Sequence, residues 1–265
     1  MSVLWRESKA SLAFVERNYY LFKRYLGWEI VFLAYGVVNA LTIGLIGASQ
    51  SEEQILYLVI GALFWNFLGV LFHQISETVS WERWEGTIEY TFMAPVHRLT
   101  HLGGMCLFGI IYGIIRTVVI LMALTLFLDF DFTGANLAAG MVVLTVASLA
   151  FIGLGLMAAI LPLISPERGA QMTNIIQAVI LLVSGVYYEI EVLPVWLQPL
   201  SRLSPGTYAL RAARGALLEG MGLGELRGEL MIILLIGALL IPLGYLFFRL
   251  AENYAMKNGK LKRSG

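Results

Sequence analysis

Six runs of mostly apolar residues, 27–48, 55–76, 102–128, 136–162, 172–188 and 230–250, leave this chain few architectures. A helix needs roughly 20 such residues to cross the hydrocarbon layer, where every backbone N–H and C=O must be paired within the protein. The runs predict an all-α membrane protein with six transmembrane helices. The fifth run is short, and the third is long enough to tilt or to project from the bilayer. Hydrophobic residues make up 58% of the chain and charged residues 14%, against roughly a quarter charged in soluble domains. Glycine recurs in the runs, and Gly109 and Gly113 form a small-xxx-small pair of the kind that lets helix backbones approach closely.

Several classes of chemistry have no footing here. A formal net charge of zero gives no electrostatic case for nucleic acid. The single cysteine, Cys106, excludes an internal disulfide and a multi-cysteine metal site, and reads as a packed apolar residue. No G-x-x-x-x-G-K-[ST] occurs, so the chain is not expected to hydrolyse ATP. "GLGLMA" (153–158) imitates a dinucleotide fingerprint but lies inside an apolar run, where helix packing explains it. His97 and His101 share a helix face in "HRLTH", yet no third ligand or catalytic glutamate accompanies them, so no metal site is predicted. His73 reads as a structural residue near the inner end of span two. An intramembrane enzyme would need clustered His, Asp or Glu within the spans, and only isolated groups are present.

Residues 1–26 break their apolar positions with charges, unlike a cleavable signal peptide. Leu4, Leu12, Val15, Tyr19, Phe22 and Leu26 recur at helical spacing among Arg6, Lys9, Arg17, Lys23 and Arg24, predicting an amphipathic helix at the headgroup level. The alternative is a solvated helix packed on a partner. Basic residues then orient the spans. They crowd the N-terminal helix, the tail 251–265 (Lys257, Lys260, Lys262, Arg263), the segment 77–100 (Arg83, Arg98) and the turn at Arg168, while "SQSEEQ" (49–54) and "DFDFTG" (129–134) have none. Both termini are therefore expected in the cytoplasm, with residues 27–250 forming the transmembrane domain. The connection 189–229 should lie outside despite Arg202, Arg211, Arg214 and Arg227, which five glutamates accompany.

Two features stand out against the apolar runs. In "WERWEGTIEYTFMAPVHR" (81–98), Trp81, Trp84, Ile88 and Phe92 form one stripe and Glu82, Glu85 and Glu89 another. Gly86 predicts a bend, Thr87 a cap for a new short helix, and Pro95 its end. The segment either docks a partner or lies at the interface with its tryptophans among the headgroups. Within the spans, Arg116 costs about 2.5–3.5 kcal/mol to insert and so needs a partner or a wet cavity. It contacts an anionic substrate group or a moving carboxylate, or it is satisfied by backbone carbonyls or Glu29. Asn39, Asn66, Asn174 and Gln177 either line a path or form interhelical hydrogen bonds.

"ERWEGTIEYTFMAPVHR" resembles the intracellular segment of type-2 ABC transporter permeases, E-x-x-G-T-[LI]-E followed by P-V-x-R. Glu82, Glu85, Gly86, Thr87, Ile88, Glu89, Pro95, Val96 and Arg98 supply that pattern in order. "SGVYYEIEVLPVWLQPLSRLSPGTYALRAARG" (184–215) is similar to the family's segment between spans five and six. Ser184, Gly185, Leu193, Pro194, Trp196, Leu197, Pro205, Thr207, Tyr208 and Arg214 match it, while Glu189 stands where a proline often follows the aromatics.

The resemblance implies an exporter permease that pairs with a second permease copy, as a homodimer or heterodimer. Two cytoplasmic ABC ATPase subunits would carry ATP and Mg, with no cofactor in this chain. Trp81, Glu82, Arg83, Trp84, Glu85, Gly86, Thr87, Ile88 and Glu89 would form the coupling helix, seated on the ATPase. Short re-entrant helices would fill 189–229, and Tyr187, Tyr188, Glu189, Pro194 and Trp196 would form an external gate. The location implied is the inner cell membrane. The pattern leans to the drug- and antibiotic-resistance branch, hence to a hydrophobic or amphiphilic substrate. The polysaccharide branch usually carries Y-F-P-R-E, which is absent here. An ATPase-independent channel or scramblase is the rival reading.

Overall fold

The computed structural model describes residues 3–128 and 134–261. The side chain of Arg168, the residues 129–133, and Lys262 and Arg263 of the basic tail lie outside the described residues. Those described residues form helices and turns with no strand: α1 (Val3–Arg24), α2 (Leu26–Ala48), α3 (Glu52–Glu85), α4 (Ile88–Met93), α5 (Arg98–Thr125) and α6 (Leu137–Ala158). There follow α7 (Ile160–Ile164), α8 (Pro166–Val183), a 3-10 turn (Ile190–Val192), α9 (Gln198–Ser201), α10 (Pro205–Leu218) and α11 (Arg227–Lys257).

Among the described residues, five helical stretches are long and apolar enough to cross a membrane: α2, α3, α5, α6 with α7, and α11. The predicted run 172–188 is broken sooner than its hydropathy suggests. Helix α8 ends at Val183, and Gly185 takes φ +65, a left-handed conformation that a helix cannot continue through. The apolar part of α8, Gln171–Val183, is too short to cross alone. The run 136–162 divides at Ala159, and Pro162 sits in the short α7 with no N–H to donate. Helix α3 has 34 residues, which at 1.5 Å each is about 51 Å, longer than a hydrocarbon core of roughly 30 Å.

Helices α3 and α6 form the centre. Phe67, Leu68 and Leu71 of α3 are fully buried with Ala147 and Phe151 of α6, Ala213 of α10 and Ile233 of α11. Helices α6 and α11 touch backbone to backbone: a Cβ on Gly244 would lie 2.7 Å from the Gly153 carbonyl oxygen, closer than any side chain tolerates. A second cluster at one end joins Ile75, Val79, Ile88, Leu102, Leu163 and Phe248, while a third holds α2 against α3 and α5 through Ala40, Val59, Leu63 and Ile120.

At the opposite end, α10 folds back onto α3, α6 and α11 and buries Ala209, Ala212, Ala213 and Ala216. Arg214 of α10 is also drawn inward. It donates to the Gly185 and Val186 carbonyls, at 3.1 and 2.6 Å, and its guanidinium lies 3.5 Å from the centre of the Tyr57 ring. One of the four arginines that strained the charge pattern is thus a half-buried tie between α10 and the turn that follows α8.

Candidate functional site

The five polar residues singled out within the spans converge. Asn39 of α2, Asn66 of α3, Arg116 of α5, and Asn174 and Gln177 of α8 all line one cleft of about 940 Å³ walled by those four helices. Two small residues make the convergence possible. A Cβ on Gly36 would meet the Arg116 and Asn66 nitrogens at 3.3 Å, and one on Gly69 would meet the Gln177 amide nitrogen at 2.6 Å. Helical spacing alone does not reveal these glycines as clearances for polar side chains.

Arg116 finds two partners within the chain. Its Nη2 donates to the Phe32 carbonyl at 2.8 Å and its Nη1 to the Tyr112 hydroxyl at 3.3 Å. Tyr112 in turn donates to Glu29 Oε2 at 2.5 Å, so the guanidinium reaches Glu29 through one phenol. Tyr112 and Arg116 are four apart on α5, the spacing that places them on one face. Arg116 Nε and Asn66 Oδ1 are buried with no partner among the described residues.

The segment 77–100 is built on buried charge. Helix α3 ends in a Schellman turn: Gly86 has φ +74, the Thr87 N–H donates to the Glu82 carbonyl at 2.9 Å, and the Gly86 N–H to the Arg83 carbonyl at 3.2 Å. Thr87 occupies the N-cap position of α4, but its side chain does not cap that helix. The hydroxyl turns back toward the Glu82 carbonyl, at 3.4 Å, because the Schellman turn has already fixed the chain's direction. Ala94 is extended ahead of Pro95, and α4 stops at Met93.

Glu82 is 2% exposed; its Oε1 lies 2.6 Å from Arg17 of α1 and 3.3 Å from His101 of α5. Arg83, also buried, donates to the Leu163 carbonyl at the end of α7. Arg98 pairs with buried Glu252 of α11 at 2.7 Å and donates to the Phe92 and Thr91 carbonyls, closing the last turn of α4. Arg17, His101 and Glu252 are the partners that sequence reasoning missed. No local spacing links positions 17, 82 and 101.

Helix α1 is tied a second time. The Glu7 carboxylate accepts from the Thr100 hydroxyl at 2.6 Å and from the His97 backbone N–H at 3.3 Å, capping the start of α5. The Thr100 hydrogen bond holds Glu7 below the usual carboxylate value of 4.5.

Of the nine residues read as one docking surface, Glu82, Arg83 and Ile88 lie inside the fold. Trp81, Trp84, Glu85 and Glu89 are exposed, and Gly86 and Thr87 are half-buried. Each predicted stripe therefore divides: Trp81 and Trp84 point outward but Ile88 inward, and Glu82 points inward but Glu85 and Glu89 outward. Trp81 stacks over Tyr25, centroids 6.3 Å apart, while Trp84, Glu89, Tyr90 and Met93 lie open around α4. The gate residues divide as well. Tyr187 lines the cleft, Tyr188 donates to the Leu182 carbonyl, and Glu189, Pro194 and Trp196 face outward. His97 is exposed at the start of α5 while His101 faces Glu82, so the two do not form a pair.

These features define a multi-pass helical membrane protein whose bundle encloses a polar cleft and is clamped at one end by buried ion pairs. A family model for the ABC-2 type transporter matches residues 2–218, and the chain belongs to that family. Such chains are membrane permease subunits of ABC transporters, generally without enzymatic activity of their own, and work with an ABC ATPase. No curated protein matches the chain.

Proposed function

We propose that this chain is the permease of an ABC exporter that moves a hydrophobic or amphiphilic substrate, in the manner of the drug- and antibiotic-resistance branch. It works as a dimer of permeases on two ATPase subunits that carry ATP and Mg. The cleft between α2 and α8 is one protomer's share of the path, and α8, too short to cross alone, completes a sixth crossing together with the turn that follows it. The termini, α1 and the segment 77–100 face the cytoplasm; α10 faces outward.

One observation carries this reading. Helix α3 runs unbroken from the cleft wall, at Asn66, His73 and Glu77, to the segment's Trp81–Glu85. A displacement imposed at α4 by an ATPase dimer closing on ATP is thereby delivered to the cleft without a flexible joint. Arg83 and Arg98 spread the same displacement to α7 and α11. The docking face is the exposed set Trp84, Glu85, Glu89, Tyr90 and Met93, whereas buried Glu82, Arg83 and Ile88 hold the segment's shape. Coupling requires that this face bind the two nucleotide states of the ATPase differently.

Replacing Gly86-Thr87 with bulky residues in the reconstituted complex tests the reading. ATP hydrolysis should continue while export stops. Export coupled as in the wild type contradicts it. A channel or scramblase would instead purify without a stoichiometric nucleotide-binding subunit.

A further inference from the structure

A second cavity, of about 620 Å³, lies between α1, α2, α3 and α5 and meets the polar cleft at Glu29, Gln74, Glu77 and Tyr112. Its size falls within the range of drug-sized ligand sites, roughly 300–1,000 Å³. Aromatic side chains dominate the walls: Phe22, Tyr25, Trp28, Trp81, Phe108 and Tyr112. The charges lining it are unbalanced, with Glu29, Glu77, Glu82 and Glu85 against Arg17 alone. Arg17 is already committed to Glu82 at 2.6 Å. Glu77 forms no hydrogen bond or salt bridge with the described residues, and Glu29 lines the same cavity. Asn18, 4% exposed, also lines the cavity, and its side-chain nitrogen has no hydrogen-bond partner among the described residues.

We infer that this cavity binds a lipophilic organic cation, which passes Glu29 and Glu77 on its way into the polar cleft. Aromatic faces attract a cation through their quadrupoles, most strongly where water is excluded. A carboxylate without a partner supplies the matching charge that burial would otherwise make costly. The same walls repel an anion of equal size and shape, so the cavity selects by sign as well as by greasiness. The inference rests on the exporter reading and deepens it by naming the substrate class.

The test uses the full chain alone in phosphatidylglycerol nanodiscs, with equilibrium dialysis of labelled tetraphenylphosphonium against empty discs. Saturable binding is expected, weakened about 10-fold by Glu77→Gln and further by adding Glu29→Gln. Glu77→Asp, which keeps the charge, should bind within about 3-fold of the wild type. Tetraphenylborate, of the same shape and opposite sign, should not displace the probe. That comparison is made on the unsubstituted chain and stands even where Glu77→Gln does not fold. Absent or non-saturable binding, binding unchanged in the double variant, or equal displacement by tetraphenylborate overturns the inference. Displacement by added phosphatidylethanolamine also overturns it, since the occupant would then be a resident lipid amine. No ATPase enters this assay, so its failure leaves coupling untouched, and uncoupling at Gly86-Thr87 leaves it unaffected.

Discussion

The Glu82 carboxylate and the Arg17 guanidinium meet at 2.6 Å across the junction of α3 and α1, with Glu82 almost wholly buried. The contact fixes an otherwise peripheral helix to the foot of the longest helix in the bundle. His101 adds a third group from α5. A charge held this way is expensive to orphan, although Arg17 is about a third exposed and can recover some hydration.

Glu82→Ala should therefore destabilise the protein by about 2 kcal/mol, below the 3–5 kcal/mol typical of a fully buried pair. Chemical denaturation in mixed micelles reads this directly. The double variant Arg17→Ala/Glu82→Ala should cost less than the two single changes together, because each single change orphans a partner. Strict additivity would mean that the pair does not couple.

Arg98→Lys should cost about 1–2 kcal/mol although the charge is kept. Lysine can still reach Glu252, but it cannot also serve the Phe92 and Thr91 carbonyls at the end of α4. The visible consequence is a frayed α4, read as faster amide exchange over Ile88–Met93. Unchanged exchange there would contradict the clamp.

Tyr112→Phe should separate Arg116 from Glu29 by removing the hydroxyl that bridges them. The expected loss is about 0.5–1.5 kcal/mol, the net worth of a hydrogen bond between half-buried groups. Transport should fall while the complex with the ATPase survives on a sizing column, because the bonds lost involve none of the docking residues. Loss of the complex itself would contradict that separation.

Acid should loosen α1. The Thr100 hydroxyl keeps the Glu7 carboxylate ionised to lower pH than a free glutamate, so folded Glu7 has the lower pKa. Its contribution is present above the ordinary value of 4.5 and is lost as pH falls below that. Amide exchange in α1, taken relative to its intrinsic rate at each pH, should quicken only as pH falls below 4.5, and Glu7→Gln should remove that pH dependence.

The apolar runs made five of the spanning helices legible, because a hydrocarbon solvent leaves the backbone little choice but helix. The end of the fifth run was not legible in the same way: hydropathy carried it to 188, whereas the left-handed turn at Gly185 ends α8 at Val183. The inside and outside of 81–92 were less legible. Periodicity sorted Trp81 and Trp84 from Glu82 correctly, but a hydrophobic stripe normally turns inward. Here the tryptophans face out because residues far away in the chain, Arg17, His101 and the Leu163 carbonyl, draw Glu82 and Arg83 in. The polar residues of the spans were found one by one. Their meeting in a single cleft depends on Gly36 and Gly69, whose role appears only when the helices are packed.

The docking of α4 on an ATPase is the central claim, and site-directed cross-linking tests it most directly. Cys106 is buried, so a single new cysteine at Glu89 or Trp84 can be addressed selectively. In the assembled transporter, both Glu89→Cys and Trp84→Cys should cross-link to the nucleotide-binding subunit, with a yield that changes between the nucleotide-free and ATP-bound states. Cysteines at these positions that never cross-link, and that instead react with lipid-soluble reagents in the bilayer, would contradict the account.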